Sequence, residues 1–291
     1  MDWLTNSIQD NTVIWLVISS LIGGIIGSTT KLIFDVLIPQ QIKSTTEIIN
    51  IKRKYGLPIF YSSLELTKRL ESIINLIQHI EQEYGWLQKD AKANYKDDYY
   101  FLSTVYLTAQ LFAWIQILRR TVIFLDLVSV KETRLYSFAI DAIMACFSNP
   151  ALLSESAKSD PSQSEDKWIF SIWIQTIGNI MITKDGDELK VIDYSTFYRY
   201  VTKLDKTPPV PDFIEWTKPL TLFFDGIKSS GVRFHRIIAL HEVLCAFIEL
   251  YDPKNIRGAK RPSYWELLHK QEQKHIGELI LKFNPQYKPL K

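Results

Sequence analysis

The spacing of apolar residues divides the chain into one uncharged stretch and a long series of helical periods. Residues 12–30, TVIWLVISSLIGGIIGSTT, are nineteen positions without an ionisable side chain, and an uncharged run of that length is a candidate membrane span. Nine of them are Val, Ile or Leu, each contributing roughly −0.3 to −0.6 kcal/mol at the centre of a span. Ser, Gly and Thr reduce that gain without cancelling it. Leu32, Ile33, Phe34, Val36, Leu37 and Ile38 continue the pattern to Pro39, so the predicted membrane helix covers residues 12–38, with Lys31 reaching for the interface.

Beyond the span the period is mostly helical. Residues 39–57 read as a polar juxtamembrane connector ending in Lys52, Arg53 and Lys54, a basic cluster placed to contact anionic lipid headgroups. Phe60, Leu66, Leu70, Ile73, Ile74 and Ile77 then fall on one helical face, opposite Lys68, Arg69, Glu71 and Gln78. Residues 99–127 predict a long helix that is uncharged as far as Leu118. Thr, Tyr and Gln interrupt it and Arg119 and Arg120 break the run, so it is expected to be the central helix of a bundle, apolar nearly all round, and not a second span. Residues 130–147 form a further helix, closed by Asn149 and Pro150.

Residues 154–167, SESAKSDPSQSEDK, hold no large apolar side chain and predict an exposed loop. Residues 168–177 are helical. The period then shortens: Ile180 to Ile182, a Lys184-Asp185-Gly186-Asp187 turn, and Leu189 to Ile192 predict a β-hairpin, because Asp-Gly provides the positive φ of a tight turn. A short helix over 194–204 is expected to be N-capped by Asp193 or Ser195. TPPVP, residues 207–211, is a rigid connection. Helices follow over 213–227, interrupted at Pro219, over 233–251, and over 263–283, the last amphipathic. The predicted fold is mainly α: a tail (1–11), a single N-terminal transmembrane helix (12–38), a connector (39–57) and an all-α cytoplasmic domain with one small β-hairpin (58–291).

Charge sets the direction. No Lys or Arg precedes the span, and Lys31, Lys43, Lys52, Arg53 and Lys54 follow it, so the N-terminus is expected outside and the large domain in the cytoplasm of an inner membrane. A cleavable signal peptide needs a basic leading region and a small-residue cleavage site, and the sequence supplies neither. Within the span Ser19, Gly23 and Gly27 stand four apart and clear one helix face for a second helix, which points to a homo-oligomer. The formal net charge of +2 gives no global field and argues against nucleic acid as a partner. Cys146 and Cys245 are the two cysteines, both in apolar helical settings expected of reduced, unreactive thiols.

No nucleotide, phosphate-loop or nucleophile-elbow motif occurs, and the readings for chemistry are negative. Glu266-x-x-His269 and Glu272-x-x-His275 resemble halves of a di-iron site. On one continuous helix their histidines point about 240° apart at 100° per residue, which excludes a shared metal. His241-Glu242 lacks the second histidine of a zinc-protease motif, and His235 and His241, six apart, do not share a helix face. No metal, cofactor or catalytic residue is therefore assigned, and an enzyme site gathered from distant positions is not legible at this stage. Two basic groups remain as candidate anion sites: Arg119 and Arg120, at least one expected to be buried beside a carboxylate such as Asp126, and the loop residues Lys254, Arg257, Lys260 and Arg261.

A wider pattern is carried by Lys54-Tyr55-x-x-Pro58, Leu66-x-x-Arg69-Leu70, Thr104-x-Tyr106, Trp114-x-x-Ile117-Leu118-Arg119-Arg120, Trp173-x-Gln175-x-x-Gly178, Phe213-x-x-Trp216-x-x-Pro219 and Leu250-x-Asp252-Pro253. It resembles a family of uncharacterised bacterial proteins in which a membrane helix or leader precedes a helical domain. The resemblance implies one continuous domain over about residues 52–257 and no assigned activity, and it leads one to expect an acidic residue where this chain has Asn179. The expected function is a membrane-anchored interaction or sensor protein that binds membrane lipid, a protein partner or a small anion. The alternative is a membrane effector of a stress or defence system that acts through oligomerisation of its span.

Overall fold

The structure is a computed structural model that describes residues 52–79, 95–122, 130–159, 167–202, 204, 211–227, 229, 231–254, 256 and 261–288. The expected span with Ser19, Gly23 and Gly27 lies outside the described residues, as do Asp126, Arg257 and Lys260. The chain divides into two units, residues 1–53, of which only 52 and 53 are described, and 54–291. The second is mainly helical, with one small antiparallel sheet among the described residues.

After a π-turn at Lys52–Gly56, helix α1 runs Leu57–His79, α2 Tyr95–Val122 and α3 Val130–Ser148. A 3-10 turn, Pro150–Leu153, leads into the short α4, Ser154–Ser159. Helix α5, Ser171–Ile180, precedes the hairpin of β1, Ile182–Asp185, and β2, Glu188–Val191; α6, Tyr194–Val201, α7, Phe213–Phe224, and α8, Val232–Tyr251, follow. A 3-10 turn, Trp265–Leu267, then leads to α9, Lys270–Phe283.

The two helices without an amphipathic face are the interior ones. In α8 fifteen of twenty residues are buried, and it packs on α1, α3 and α9. Helix α2 packs on α1 and α5, and in an apolar window of eighteen residues within Tyr99–Arg120 78% of the positions are buried within the protein. A helix that must meet neighbours on every side cannot keep a polar stripe, and burial against protein explains a hydropathy long enough to span a bilayer. Glycine makes one of these contacts close: a Cβ on Gly178 of α5 would stand 2.8 Å from the Phe112 carbonyl oxygen of α2, too short for any side chain.

The hairpin forms where its turn chemistry places it. Gly186 has φ of +60° and Asp185 pairs with Glu188 across a two-residue turn, so glycine alone supplies the left-handed position. The capping expectation resolves to Asp193, whose carboxylate accepts the Thr196 N–H at 2.8 Å.

Two segments differ from expectation. Residues 154–159 of the anticipated exposed loop are helical, and Ser156 is 1% exposed, because its backbone and hydroxyl engage groups on α8 and α9. The final amphipathic helix is not continuous: the chain leaves helical geometry at Leu268 and His269, whose ψ values are 148°, and α9 begins at Lys270.

Candidate functional site

The N-terminal end of α5 and one side of α7 enclose a cleft of about 430 Å³, within the usual range of ligand pockets. Ile169 forms part of its lining, with Trp168, Phe170, Trp173, Trp216 and Pro219 supplying most of the remaining apolar surface. The Trp173 and Trp216 rings lie 5.3 Å apart, tilted at 48°, within the centroid separation of interacting aromatic pairs. Apolar surface continues beyond the cleft, since Phe170 is 62% and Ile172 66% exposed.

Charge in the cleft is uneven. Asp212 and Glu215 contribute carboxylates, and Lys218 a single ammonium. Lys218 meets Glu215 at 3.7 Å with both side chains more than half exposed, a pairing worth little in water. Asp212 stands at the N-cap of α7 with φ of +60° and makes no side-chain capping bond. A non-glycine residue in the left-handed region is strained, and here that residue borders the cleft. Arg233 fixes the other end of α7: its guanidinium donates to the carbonyls of Leu222 at 2.5 Å and Asp225 at 2.6 Å, which satisfies acceptors that the helix end leaves over. Across α7 a second cavity of about 310 Å³ is lined by Phe101, Leu102, Val201, Ile214 and Thr221 among others.

A polar cluster lies elsewhere, where α4, α8 and the start of α9 converge. Glu272 is fully buried. Its Oε1 accepts the Ser156 N–H at 2.8 Å and its Oε2 accepts the His269 N–H at 3.2 Å, while His235 Nδ1 lies 3.1 Å from Oε2. Burial pushes the carboxyl up, but the hydrogen bonds from His235 and Ser156 outweigh it and hold the group at about 2. Ser156 Oγ lies 2.5 Å from the same His235 Nδ1. Serine, histidine and carboxylate thus meet without forming a relay, which requires the two ring nitrogens to face opposite partners.

Two further buried charges are tied into the frame. Glu242 accepts from Ser263 Oγ, the Tyr264 N–H and Tyr287 Oη at 2.7 to 3.2 Å, which binds the C-terminal segment to α8. Arg236, 1% exposed, donates to the carbonyls of Lys167, Cys146 and Asn149 at 2.6, 2.8 and 3.1 Å. Desolvation lowers its pKa to about 10, so it remains charged at neutral pH. Both groups hold up the fold and neither faces the cleft.

Among the described residues the basic candidates stand apart from one another. Arg119 is partly exposed and 3.6 Å from Asp141. Arg120 is exposed and donates to Asn179 Oδ1 at 2.8 Å. The expected burial of one of them is therefore corrected: α2 turns both to its rim, where Arg119 meets a carboxylate and Arg120 the amide at the position where an acidic residue was expected. Lys254 is exposed, and Arg261 lies 3.7 Å from Glu71. Lys54 pairs at 3.0 Å with Glu188 of the hairpin.

Sequence reasoning missed the Glu272 cluster because it assumed a helix through residue 269. The signal that marks the break is His269-x-x-Glu272, the spacing of a capping box with histidine in place of serine or threonine. It also missed His241 beside Cys245, one turn apart, with the sulfur 3.8 Å from the ring nitrogens. Burial nevertheless pushes the Cys245 thiol up, and Cys146 up to about 12. Compared with known proteins, the chain matches no family model, and no curated protein or solved structure is significantly similar to it.

Proposed function

We propose that the protein is a membrane-anchored interaction protein whose helical unit captures a polypeptide segment bearing a basic side chain. The exposed tryptophan cleft between α5 and α7 carries this reading. A cation over an indole face gains about 0.5 to 2 kcal/mol, and the cleft pairs Trp173 and Trp216 with the carboxylates of Asp212 and Glu215. Phe170 and Ile172 extend the apolar area beyond what a small amine covers, which favours a chain segment as the occupant. Large exposed apolar surface rimmed by polar groups is characteristic of interaction sites.

In this proposal the apolar segment 12–38, uncharged from 12 to 30, holds the chain in the inner membrane with the helical unit on the cytoplasmic side, and the Ser19, Gly23 and Gly27 face brings copies together. Lys52, Arg53 and Lys54 rest on lipid headgroups. Protease added outside intact cells should spare the large C-terminal portion, and its digestion there would refute the orientation.

The cleft is tested with peptide libraries panned against the full chain in lipid nanodiscs. Recovered sequences should pair Arg or Lys with neighbouring apolar residues, and synthetic versions should lose at least about tenfold in affinity to Trp216→Ala, the size of a modest hot spot, and to Glu215→Lys. Peptides that bind Trp216→Ala as tightly as the parent protein overturn the reading.

A further inference from the structure

We infer that His235, His269 and Glu272 form a binding site for a divalent transition-metal ion, zinc being the best fit. The three residues each offer a donor atom, and all these atoms lie within 4.8 Å of one another. Two imidazoles and one carboxylate are a donor set that zinc accepts with a fourth position left for water. Tetrahedral zinc with bonds of about 2.0 to 2.1 Å keeps its donors about 3.3 Å apart. The observed 3.1 Å between His235 Nδ1 and Glu272 Oε2 already meets that spacing.

The ligands differ in freedom, and the difference gives a route for assembly. Glu272 is fixed in the interior by two backbone N–H donors, and His235 is buried on the first turn of α8. His269 is exposed and lies outside helical geometry at the N-cap of α9. Its ring already stands over His235, with centroids 5.2 Å apart at 33°, so a side-chain rotation brings its nitrogen in without moving backbone. The break before α9 is what permits this, since a continuous helix would carry the ring away.

Ser156 supplies the outer support. Its N–H orients the carboxylate, a role that commonly tunes metal affinity through the surrounding hydrogen bonds. Metal on His235 Nδ1 replaces the Ser156 hydroxyl at that nitrogen and releases the hydroxyl toward the carboxylate or the metal-bound water. Soft thiolates are absent from the set: the ligands are nitrogen and oxygen, which suits zinc or cobalt and disfavours copper(I).

The test is titration of the full chain in detergent with Zn²⁺, and with Co²⁺ as a spectroscopic probe. One equivalent should bind, Co²⁺ should develop the intense visible bands of a four-coordinate site, and the melting temperature should rise with added Zn²⁺. His269→Ala, at an exposed position whose loss removes a helix cap and no core side chain, should weaken binding on the order of 100-fold and erase the visible bands. His275→Ala, six residues further along the chain and on α9 itself, should change neither. Absence of saturable binding, or binding indifferent to His269→Ala, overturns the assignment. The peptide-capture reading stands or falls separately, because no ligand residue lines the tryptophan cleft.

Discussion

The tryptophan cleft and the Arg236–Glu242 region of α8 invert the usual distribution of chemistry. In the interior of α8 a guanidinium and a carboxylate are buried, and each is hydrogen-bonded by backbone or hydroxyl groups on several sides. At the cleft Phe170, Ile172 and Trp216 reach solvent while Glu215 beside them makes only a loose, exposed pair with Lys218. Buried polar groups that are satisfied specify one packing, and removing a partner exposes the full cost of desolvation. Exposed apolar groups contribute little to folding and are available for binding. The same chain therefore separates the residues that hold its shape from those that meet other molecules.

The contrast can be broken most strongly at Arg236. Arg236→Met leaves three carbonyls without their donor, and a loss on the order of 4 kcal/mol of stability is expected, read as a large drop in the denaturation midpoint. Acid should act next. Glu272 is held near 2 against an ordinary value of 4.5, so its contribution is present above about pH 4.5 and disappears as pH falls through 2. Integrated over that window it amounts to roughly 3 kcal/mol, and Glu272→Gln should flatten the acid limb of the stability curve.

Gly178→Ala drives a methyl into the Phe112 carbonyl and should cost about 2 kcal/mol by overpacking, with α5 and the cleft walls displaced together. Smallest is Trp216→Ala, at 38% exposure, which should cost about 1 kcal/mol of stability while weakening capture of basic peptides at least about tenfold. A large stability loss from that last variant would mean that the cleft is part of the core and the contrast is false.

Much of the fold is legible from local rules. The hairpin follows from Gly186 and the α6 cap from Asp193, each a position where one side chain or its absence decides the backbone. The central placement of α2 was readable from a run that is apolar all round yet interrupted by Thr, Tyr and Gln. What stayed hidden depends on partners far along the chain. Ser156 looks like solvent-exposed polar sequence until residues 235 and 272 arrive beside it, and Glu272 looks like the outer face of a helix until the helix is seen to start at Lys270. The cleft residues Trp173 and Trp216 were visible as landmarks. That their rings face each other across two helices is a property of packing that no spacing encodes.

That pairing of indoles has a practical consequence. Two identical chromophores 5.3 Å apart and tilted by 48° share their excited states, so they give a split circular-dichroism band whose sign and size depend on the angle between them. Any molecule that wedges between the rings or turns one of them alters this band, and the protein carries its own optical gauge of occupancy.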